Sequence, residues 1–317
     1  MAMSQALTPA AAAELTGPTT SRNLSPLMAN LGVPAMREAR GLPAGAFEAG
    51  WQLHWASHSF RNIDDGIGIE LDGETQRHDL HLAWGIGRGL TLSAALPWIR
   101  HGPGHLDALI DSWHGFWGFP DGARDEQFRD QLRFFSNARG GFDLTESVSG
   151  AGDAEIDLAW RLTELDGTAL TAFALVKLPT GDRVDFTGTG GTAAGLGLRA
   201  SAEVCVADRL SCHLQLGATR IGEIHHAPDA ERRLWFAGVA LAWSLSDRLA
   251  LTGQLDAHAS PYTDSILADS GSPLWGTLGL RWAPLAGWLL EAQFSEDLVV
   301  GSAPDISFLF NLRRRFP

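Results

Sequence analysis

The sequence predicts an all-β fold, a transmembrane up-and-down antiparallel β-barrel of about 12 strands with a helix-containing long external loop. Three features lead to this prediction. Apolar and polar residues alternate with a period of two, the connectors between alternating segments are short and long in turn, and tryptophans gather near the short connectors. We divide the chain into an N-terminal segment, 1–42, and the barrel, 43–317.

The alternation is clearest in the stretch FEAGWQLHW, residues 47–55. Phe47, Trp51 and Trp55 share one face, whereas Glu48 and Gln52 lie on the other, as in a β-strand. Each alternating segment has about ten residues, the length that a tilted strand needs to cross a bilayer. The pattern recurs around 79–86, 90–98, 155–162, 196–204, 213–216, 235–245, 249–256, 277–282, 288–295 and 306–312, and 169–178 is strand-like with an ambiguous inward face.

The connectors alternate in length along the chain. Short ones fall at 87–89, 165–167, 207–209, 246–248 and 284–287, and long ones at roughly 59–74, 100–150, 179–193, 222–232, 260–272 and 295–303. Short turns at one end and long loops at the other are typical of outer-membrane barrels. Apolar residues four apart flank three of the short turns, which predicts three-residue turns.

Tryptophan positions favour a membrane barrel over a soluble one. Indole prefers the membrane–water interface, so aromatic rings that flank an apolar band indicate a membrane-embedded wall. Trp55, Trp98 and Trp235 lie towards the long loops. The predicted membrane girdle near the short turns is Trp84, Trp160, Trp243, Trp282 and Trp288. The polar face then lines a lumen, which explains a mean hydropathy of -0.03.

The composition excludes several classes of function. The formal net charge is -13, acids and bases are interspersed, and no basic stripe exists, so nucleic-acid binding is not expected. No apolar run reaches the roughly eighteen residues of a transmembrane helix. The glycine-rich stretch at 188–195 has no predicted helix after it, so no phosphate-binding loop and no cofactor are expected.

The N-terminal segment precedes the first predicted strand. It lacks the basic region and apolar core of a signal peptide, which indicates that the signal has been removed or the start is mis-set. The Ala/Pro/Thr-rich part, to about residue 21, is expected to be disordered. The stretch NLSPLMANLGVP, 23–34, is a candidate cap or plug for the periplasmic opening.

Several stretches carry a family resemblance: RNLSPLMANLGVP, LDGETQRHDLHLAW, LPWIRHGPGHLDALIDSWHGFWGFPDGARD, LVKLPTGD and GTGGTAAGLGL. Over roughly residues 22–316 the chain resembles the proteobacterial family known as domain of unknown function 3187. The resemblance implies a Gram-negative outer-membrane protein and no particular activity. The terminal aromatic Phe316 also resembles the signal read by the barrel-assembly machinery.

Residues 104–118 have helical spacing inside a chain of predicted strands. On a helical wheel an apolar arc, expected to dock the helix, adjoins a polar arc. The docking arc is Leu106, Ile110, Trp113 and Trp117, and the polar arc is Asp107, Asp111 and His114. We expect this helix to dock on the barrel rim or to fold into the mouth, where residues 104–142 would constrict the lumen.

Two other roles remain open for the polar arc. The spacing allows Asp107, Asp111 and His114 to converge on a divalent metal, although ordinary ion pairs with downstream arginines suit these residues as well. The stretch DSWH also combines Asp111, Ser112 and His114, but neighbours on one helix cannot align as a Ser–His–acid relay.

The first predicted hairpin points four titratable residues into the lumen: His54, His58, Asp79 and His81. An acid–base site like that of lipolytic outer-membrane barrels is one interpretation of this group. A hydrogen-bonded lumen network, which every barrel of this size needs, is the other.

The two cysteines, Cys205 and Cys212, flank the predicted turn at 207–209. A three-residue turn places their side chains on opposite faces of the wall. A two-residue turn places them opposite each other, where they can form a disulfide.

The leading functional hypothesis is a pore or channel for small solutes in the outer membrane of a Gram-negative bacterium, with residues 104–142 at its mouth. The alternatives are a lipid- or ester-modifying hydrolase and a structural or surface-interaction barrel, and an enzyme is the less favoured class. The expected partners are outer-membrane lipids and lipopolysaccharide, the barrel-assembly machinery during biogenesis, and a small-molecule solute.

Overall fold

The fold is a closed antiparallel β-barrel, as the alternation predicts. The computed structural model describes residues 15–118, 130–262, 271–299 and 301–317. Twelve of the fifteen strands in these residues form the wall, and the three short strands β4, β5 and β6 lie in the long loop after β3. No helix in these residues is long and apolar enough to cross a membrane.

The elements are, in chain order, β1 (Phe47–Asp64), β2 (Ile67–Gly87), β3 (Leu90–Gly102), α1 (Asp107–Trp117), β4 (Arg133–Ser136), β5 (Phe142–Leu144), β6 (Val148–Ala151), β7 (Glu155–Leu165), β8 (Thr168–Lys177), β9 (Ala193–Ala202), β10 (Leu210–Arg220), β11 (Arg233–Ser246), β12 (Leu249–His258), β13 (Leu274–Trp282), β14 (Trp288–Asp297) and β15 (Ile306–Phe316).

The first and last strands close the barrel. Phe47 of β1 is opposite Phe316 of β15, and the antiparallel register continues to Ser57 opposite Ile306. Every other wall strand pairs with its neighbours in chain order, including β3 with β7 across the long loop. Closure leaves no unpaired edge among the twelve described wall strands, which a barrel within lipid requires.

The faces of the wall are inverted relative to those of a soluble barrel. Leu80 is 47% exposed, whereas Asp79 beside it on β2 is 1% exposed. Apolar side chains therefore point outwards and polar side chains inwards, which is the arrangement expected for a wall in contact with lipid.

Two kinds of connector differ from the sequence prediction. The short turns at 88–89 and 247–248 have two residues, not three, and each has a β-bulge beside it. The extra residue of the bulge places the apolar residues that flank each turn on the same face, as a three-residue turn would. The expected long loop at 59–74 is wrong, because β1 and β2 continue beyond the rest of the wall to a two-residue turn at Asp65 and Gly66.

The cysteine turn also differs from both expected geometries. Strand β9 ends at Ala202, before the predicted end at 204, and β10 begins at Leu210. The longer turn lets Cys205 fold back, so that it forms a disulfide with Cys212 at a Cα–Cα distance of 5.9 Å.

Candidate functional site

Residues 15–46, which we call the lumenal segment, run through the inside of the barrel. They contain no strand that joins the wall. Leu15 packs against Ala250 and Leu289 near the short turns. Further along, the Thr19 amide donates to the Gln254 side chain at 2.8 Å, so the segment enters from the short-turn end.

The lumenal segment turns near the long loops and comes back. Its tip, residues 25–31, forms turns closed by backbone bonds from Met28 and Ala29 to the Ser25 carbonyl. On the return, the Ala39 amide donates to the Ser201 hydroxyl at 3.1 Å and the Leu42 amide to Thr91 at 2.9 Å. The segment therefore occupies the lumen over much of its height before β1 begins.

The middle of the lumen holds a buried charged cluster. Both terminal nitrogens of Arg22 donate to Glu155, at 2.8 and 2.7 Å. Arg77 donates to both oxygens of Asp79 at 3.0 Å and lies 3.6 Å from Glu155. Each carboxylate thus faces a guanidinium, as burial of charge in a low-dielectric site requires.

The four predicted lumen residues all point inwards, but the structure divides them among separate contacts. His54 Nε2 lies 3.6 Å from Asp79. His58 bonds the Thr75 hydroxyl at 2.7 Å. Arg37 of the lumenal segment contacts His81 Nε2 at 2.8 Å.

The Thr75 hydroxyl also contacts His101 at 2.9 Å, which makes a polar chain from β1 to β3. The alternation places Arg77 and Glu155 on the lumenal face, but sequence reasoning missed His101 and the two arginines of the lumenal segment, Arg22 and Arg37. Because Arg22 and Arg37 meet strands that are distant in the sequence, no local pattern predicts these contacts.

A hydrophobic cap closes the long-loop end. It joins the tip of the lumenal segment to extended strands and loops of the wall. Phe134 of β4 is fully buried and packs edge-on against His58, His101 and Phe186. The buried members of the cap are Leu27, Met28, Leu31, Ile69, Leu71, Leu132, Phe134, Phe186, Ala193, Ile221, Ile224, Ala227, Leu234 and Tyr262.

His226 lies beside the cap in the loop between β10 and β11. Its ring packs against Phe142 and Phe186, and Nε2 lies 3.2 Å from the Tyr262 hydroxyl. Burial and, to a smaller extent, the nearby His225 lower the pKa of His226 to about 4. The cap therefore contains a histidine that is neutral at physiological pH.

The motifs LVKLPTGD and GTGG form a latch for the loop after β8. Lys177 Nζ donates to Asp153 at 2.5 Å, to the Thr189 hydroxyl at 2.6 Å and to the Gly191 carbonyl at 2.6 Å. These three bonds use all the donors of the ammonium group. The motifs therefore hold the loop that carries Phe186 into the cap.

The predicted loop helix forms as α1, but it lies on the outer wall. Leu106 and Ile110, 6% and 0% exposed, pack against Ile306, and the outward-facing Trp55 and Phe308 adjoin them. Glu74, also on the outer face, accepts bonds from the His105 and Leu106 amides and from Trp55 Nε1.

The expectation that the helix folds into the mouth is thus wrong. The apolar arc of the helix packs against the outward-facing aromatic residues of the wall. Glu74 accepts hydrogen bonds from the backbone amides at the start of the helix. The part of the loop that covers the mouth is the β4 and β5 hairpin, which pairs with the extension of β2.

The polar arc of α1 gathers no metal site among the residues that the structure describes. Asp107 accepts a bond from the Asp130 amide at 2.8 Å. The Ser112 hydroxyl donates to the Ala108 carbonyl at 2.8 Å, within its own helix. The side chains of Trp113, His114 and Trp117 lie outside the described residues.

Four of the five predicted girdle tryptophans point outwards beside the short turns, with exposures of 49% to 54%: Trp84, Trp160, Trp243 and Trp282. Trp288 is more covered, because the Arg314 guanidinium lies 5.1 Å from its ring centre. Trp275 points inwards instead and donates to the Ser21 hydroxyl of the lumenal segment at 2.8 Å.

A cavity of about 620 Å³, the short-turn chamber, lies beside the lumenal segment. Its lining contains three carboxylates, of Glu38, Glu48 and Asp79, and eight arginines. The arginines are Arg22, Arg37, Arg40, Arg88, Arg161, Arg281, Arg313 and Arg315. Six of them lie against a carboxylate, in the pairs Arg22–Glu155, Arg40–Glu38, Arg161–Glu164, Arg281–Glu291, Arg313–Glu48 and Arg315–Glu48.

Residues 1–316 match the family described as Protein of unknown function (DUF3187). The chain belongs to this family. The match confirms the resemblance drawn from the sequence and brings no activity with it. None of the curated protein sequences matches the chain.

The chain also resembles solved structures of outer-membrane proteins. The COG4313 outer membrane channel from Pseudomonas putida F1 matches with a TM-score of 0.60 at 16% identity, covering 88% of this chain and 98% of that chain. A KdgM porin and a NanC porin each have 8% identity, with TM-scores of 0.47 and 0.46, and cover 85% and 86% of this chain and 99% of their own. The first likeness shows that the chain has the fold of outer-membrane barrels.

Proposed function

We propose that this protein is an outer-membrane channel for small polar solutes, and that its lumenal segment holds the channel closed. The observation that carries the proposal is the short-turn chamber, a polar cavity of about 620 Å³ beside an irregular segment inside the wall. Buried ion pairs add little stability compared with apolar packing, so stability alone is a weak explanation for a charged lumen that also encloses a cavity.

The orientation follows from the connectors. In outer-membrane barrels the short turns face the periplasm and the long loops face outwards. The chamber then opens towards the periplasm, and the hydrophobic cap faces the exterior. A solute crosses only when the lumenal segment moves and the cap opens.

The lumenal segment is attached in a way that permits such movement. Apart from backbone bonds between its last residues, Gly45 and Ala46, and Gly85 of β2, it makes no strand pairing with the described wall. Separate side-chain contacts hold the rest, such as the Arg22–Glu155 pair and the Ser21 hydroxyl with Thr277 at 2.9 Å. Contacts of this kind can break one at a time, whereas a paired strand must lose a whole ladder.

Conductance of the purified full chain in planar bilayers tests the proposal. We expect small, intermittent openings for the wild type and about tenfold more frequent openings for Arg22→Gln, because the variant loses a charge-assisted pair. In this variant the Glu155 carboxylate still lies 3.6 Å from the Arg77 guanidinium, so it keeps a cationic partner.

Arg139→Gln is the matched control, since it removes an exposed arginine paired with Asp229. Openings at the wild-type frequency are expected for it. Folded wild type and Arg22→Gln that both fail to conduct would favour the structural barrel and overturn the proposal.

A further inference from the structure

The lining of the short-turn chamber contains more arginines than are paired with carboxylates. Six of its eight arginines lie against carboxylates, and two do not: Arg37 and Arg88. Arg37 contacts His81 Nε2 at 2.8 Å and has no carboxylate within 4.0 Å among the described residues. Arg88 makes no hydrogen bond or ion pair with any described residue.

These two arginines lie at different depths. Arg88 is exposed in the first short turn, at the open end of the chamber. Arg37 is half-buried on the returning limb of the lumenal segment, next to the charged cluster. Their placement gives a cation at the opening and a second cation inside, so an entering anion meets both in turn.

The chemistry of the wall suits oxyanions. A guanidinium presents a planar fork of donors that matches carboxylate and phosphate groups, and it stays charged when partly buried. Gln52 and Ser93 add amide and hydroxyl groups to the lining.

The size of the chamber limits the ligand to a small molecule. A volume of about 620 Å³ falls in the range of sites that enclose metabolite-sized ligands. A polymer would require the lumenal segment to leave.

We propose that the short-turn chamber binds small, multiply charged anions that carry carboxylate or phosphate groups, with Arg37 as the inner contact and Arg88 as the outer one. As an assignment of the solute class, this proposal rests on the proposed channel function. As a binding site, the chamber can be tested without any conduction.

Isothermal titration calorimetry on the detergent-purified full chain at low salt is the test, with citrate and inorganic phosphate as probes and glucose as a neutral probe. We expect the wild type to bind citrate, to bind phosphate more weakly and not to bind glucose. Arg37→Gln should weaken citrate binding by about tenfold or more, because one charge-assisted contact is lost.

Arg88→Asn is a second variant, and it should not disturb the folding of the protein because no buried packing is lost. Arg88 is exposed and has a φ of 53°, a conformation that asparagine tolerates. We expect citrate binding about threefold weaker in this variant, since an exposed charge is partly screened. Arg133→Gln is the matched control in a long loop, and its binding should equal that of the wild type.

Wild-type protein that fails to bind citrate, or variants at positions 37 and 88 that bind it as the wild type does, would overturn the proposal. The outcome is separable from that of the channel test. Citrate binding without conductance would leave the site standing and reject the channel, whereas conductance without citrate binding would reject the site alone.

Discussion

The two ends of the lumen are filled in opposite ways. The short-turn half and the middle contain paired charges, a cavity and an irregular segment, whereas the long-loop end contains a dry cluster of apolar side chains around Phe134. Apolar burial is stable without precise geometry, while buried charges depend on each partner. The comparison indicates that the cap is a seal and that the charged part is where contacts can be exchanged.

The largest effect should come from removing a carboxylate that serves two arginines. Glu155→Gln leaves Arg22 without its bidentate partner and takes one carboxylate from Arg77. We expect a loss of about 3–5 kcal/mol in the free energy of holding the lumenal segment, because a buried charge becomes unpaired. Hydrogen exchange in residues 15–46 measures it.

Glu164→Gln is the matched control, since Glu164 also contacts the lumenal segment, at 3.4 Å from Arg40, but its side chain is 36% exposed and the contact is screened by solvent. Its effect on the same amides should stay below about 1 kcal/mol. Equal effects from the two substitutions would show that the charged cluster does not hold the segment.

The cap is tested by two adjacent residues of β4 that face opposite ways. Phe134 is fully buried, whereas Phe135 is half-buried beneath the Arg133 guanidinium. Phe134→Ala should destabilise the cap by about 3 kcal/mol, the lower end for a buried phenylalanine, because loops around it can relax. Phe135→Ala should cost about 1 kcal/mol or less.

Hydrogen exchange at the tip of the lumenal segment, residues 25–31, distinguishes the two variants. Faster exchange in both, to the same extent, would contradict the assignment of Phe134 to the seal.

Acid should loosen the cap through His226. Its pKa is lowered from 6.5 to about 4 in the folded protein, so protons bind the opened loop more strongly than the closed one. The closed loop therefore loses stability as the pH falls from about 6.5 towards 4 and is unaffected above that range. Exchange in residues 221–232, corrected for its intrinsic pH dependence, should rise at pH 5.

His226→Phe keeps a ring in the same aromatic contacts and removes the titrating group. We expect its exchange at acid pH to match the value at neutral pH. A variant that still opens in acid would mean that another group, such as the adjacent His225, controls the loop.

The smallest effect is expected on the exposed rim. Arg139 and Asp229 are paired at 2.6 Å, yet their side chains are 78% and 73% exposed. Asp229→Asn should change the unfolding free energy by about 0.5 kcal/mol or less. A larger loss in a denaturant titration would show that rim contacts rival those inside the lumen.

The sequence predicts the wall far better than the contents of the lumen. Alternation around Leu80 and Asp79 fixes the faces of a strand locally, and closure then follows from the number of strands. The disulfide could not be decided, because the end of β9 at Ala202 depends on a turn that carries no period.

From the sequence, 23–34 was expected to cap or plug the periplasmic opening, and the chain to about residue 21 to be disordered. The first expectation is wrong, because Leu27 and Leu31 pack in the hydrophobic cap at the long-loop end. The second is wrong for the described residues 15–21, since Leu15 and Thr19 make buried contacts with the wall.

The partners of the lumenal segment are distant in the sequence, from Arg37 with His81 to Arg22 with Glu155, and no local pattern encodes such pairs. The apolar spacing of Leu24, Leu27, Met28 and Leu31 was the available signal for a buried tip. For α1, the helical wheel identified the apolar arc, but it could not tell whether that arc would pack against the outer or the inner face of the barrel wall.

The most direct test of the central claim, that the lumenal segment closes the channel, is a covalent lock. The hydroxyl oxygens of Ser21 and Ser295 lie 3.4 Å apart, so cysteines at these positions can form a disulfide. The measurement is planar-bilayer conductance of the Ser21→Cys, Ser295→Cys double variant before and after reduction. The single variants and reductant-treated wild type are controls, because the reductant also reaches the Cys205–Cys212 disulfide.

The oxidised double variant should show no openings, and reduction should restore openings at the wild-type frequency. Oxidised protein that conducts as the reduced protein does would contradict the claim.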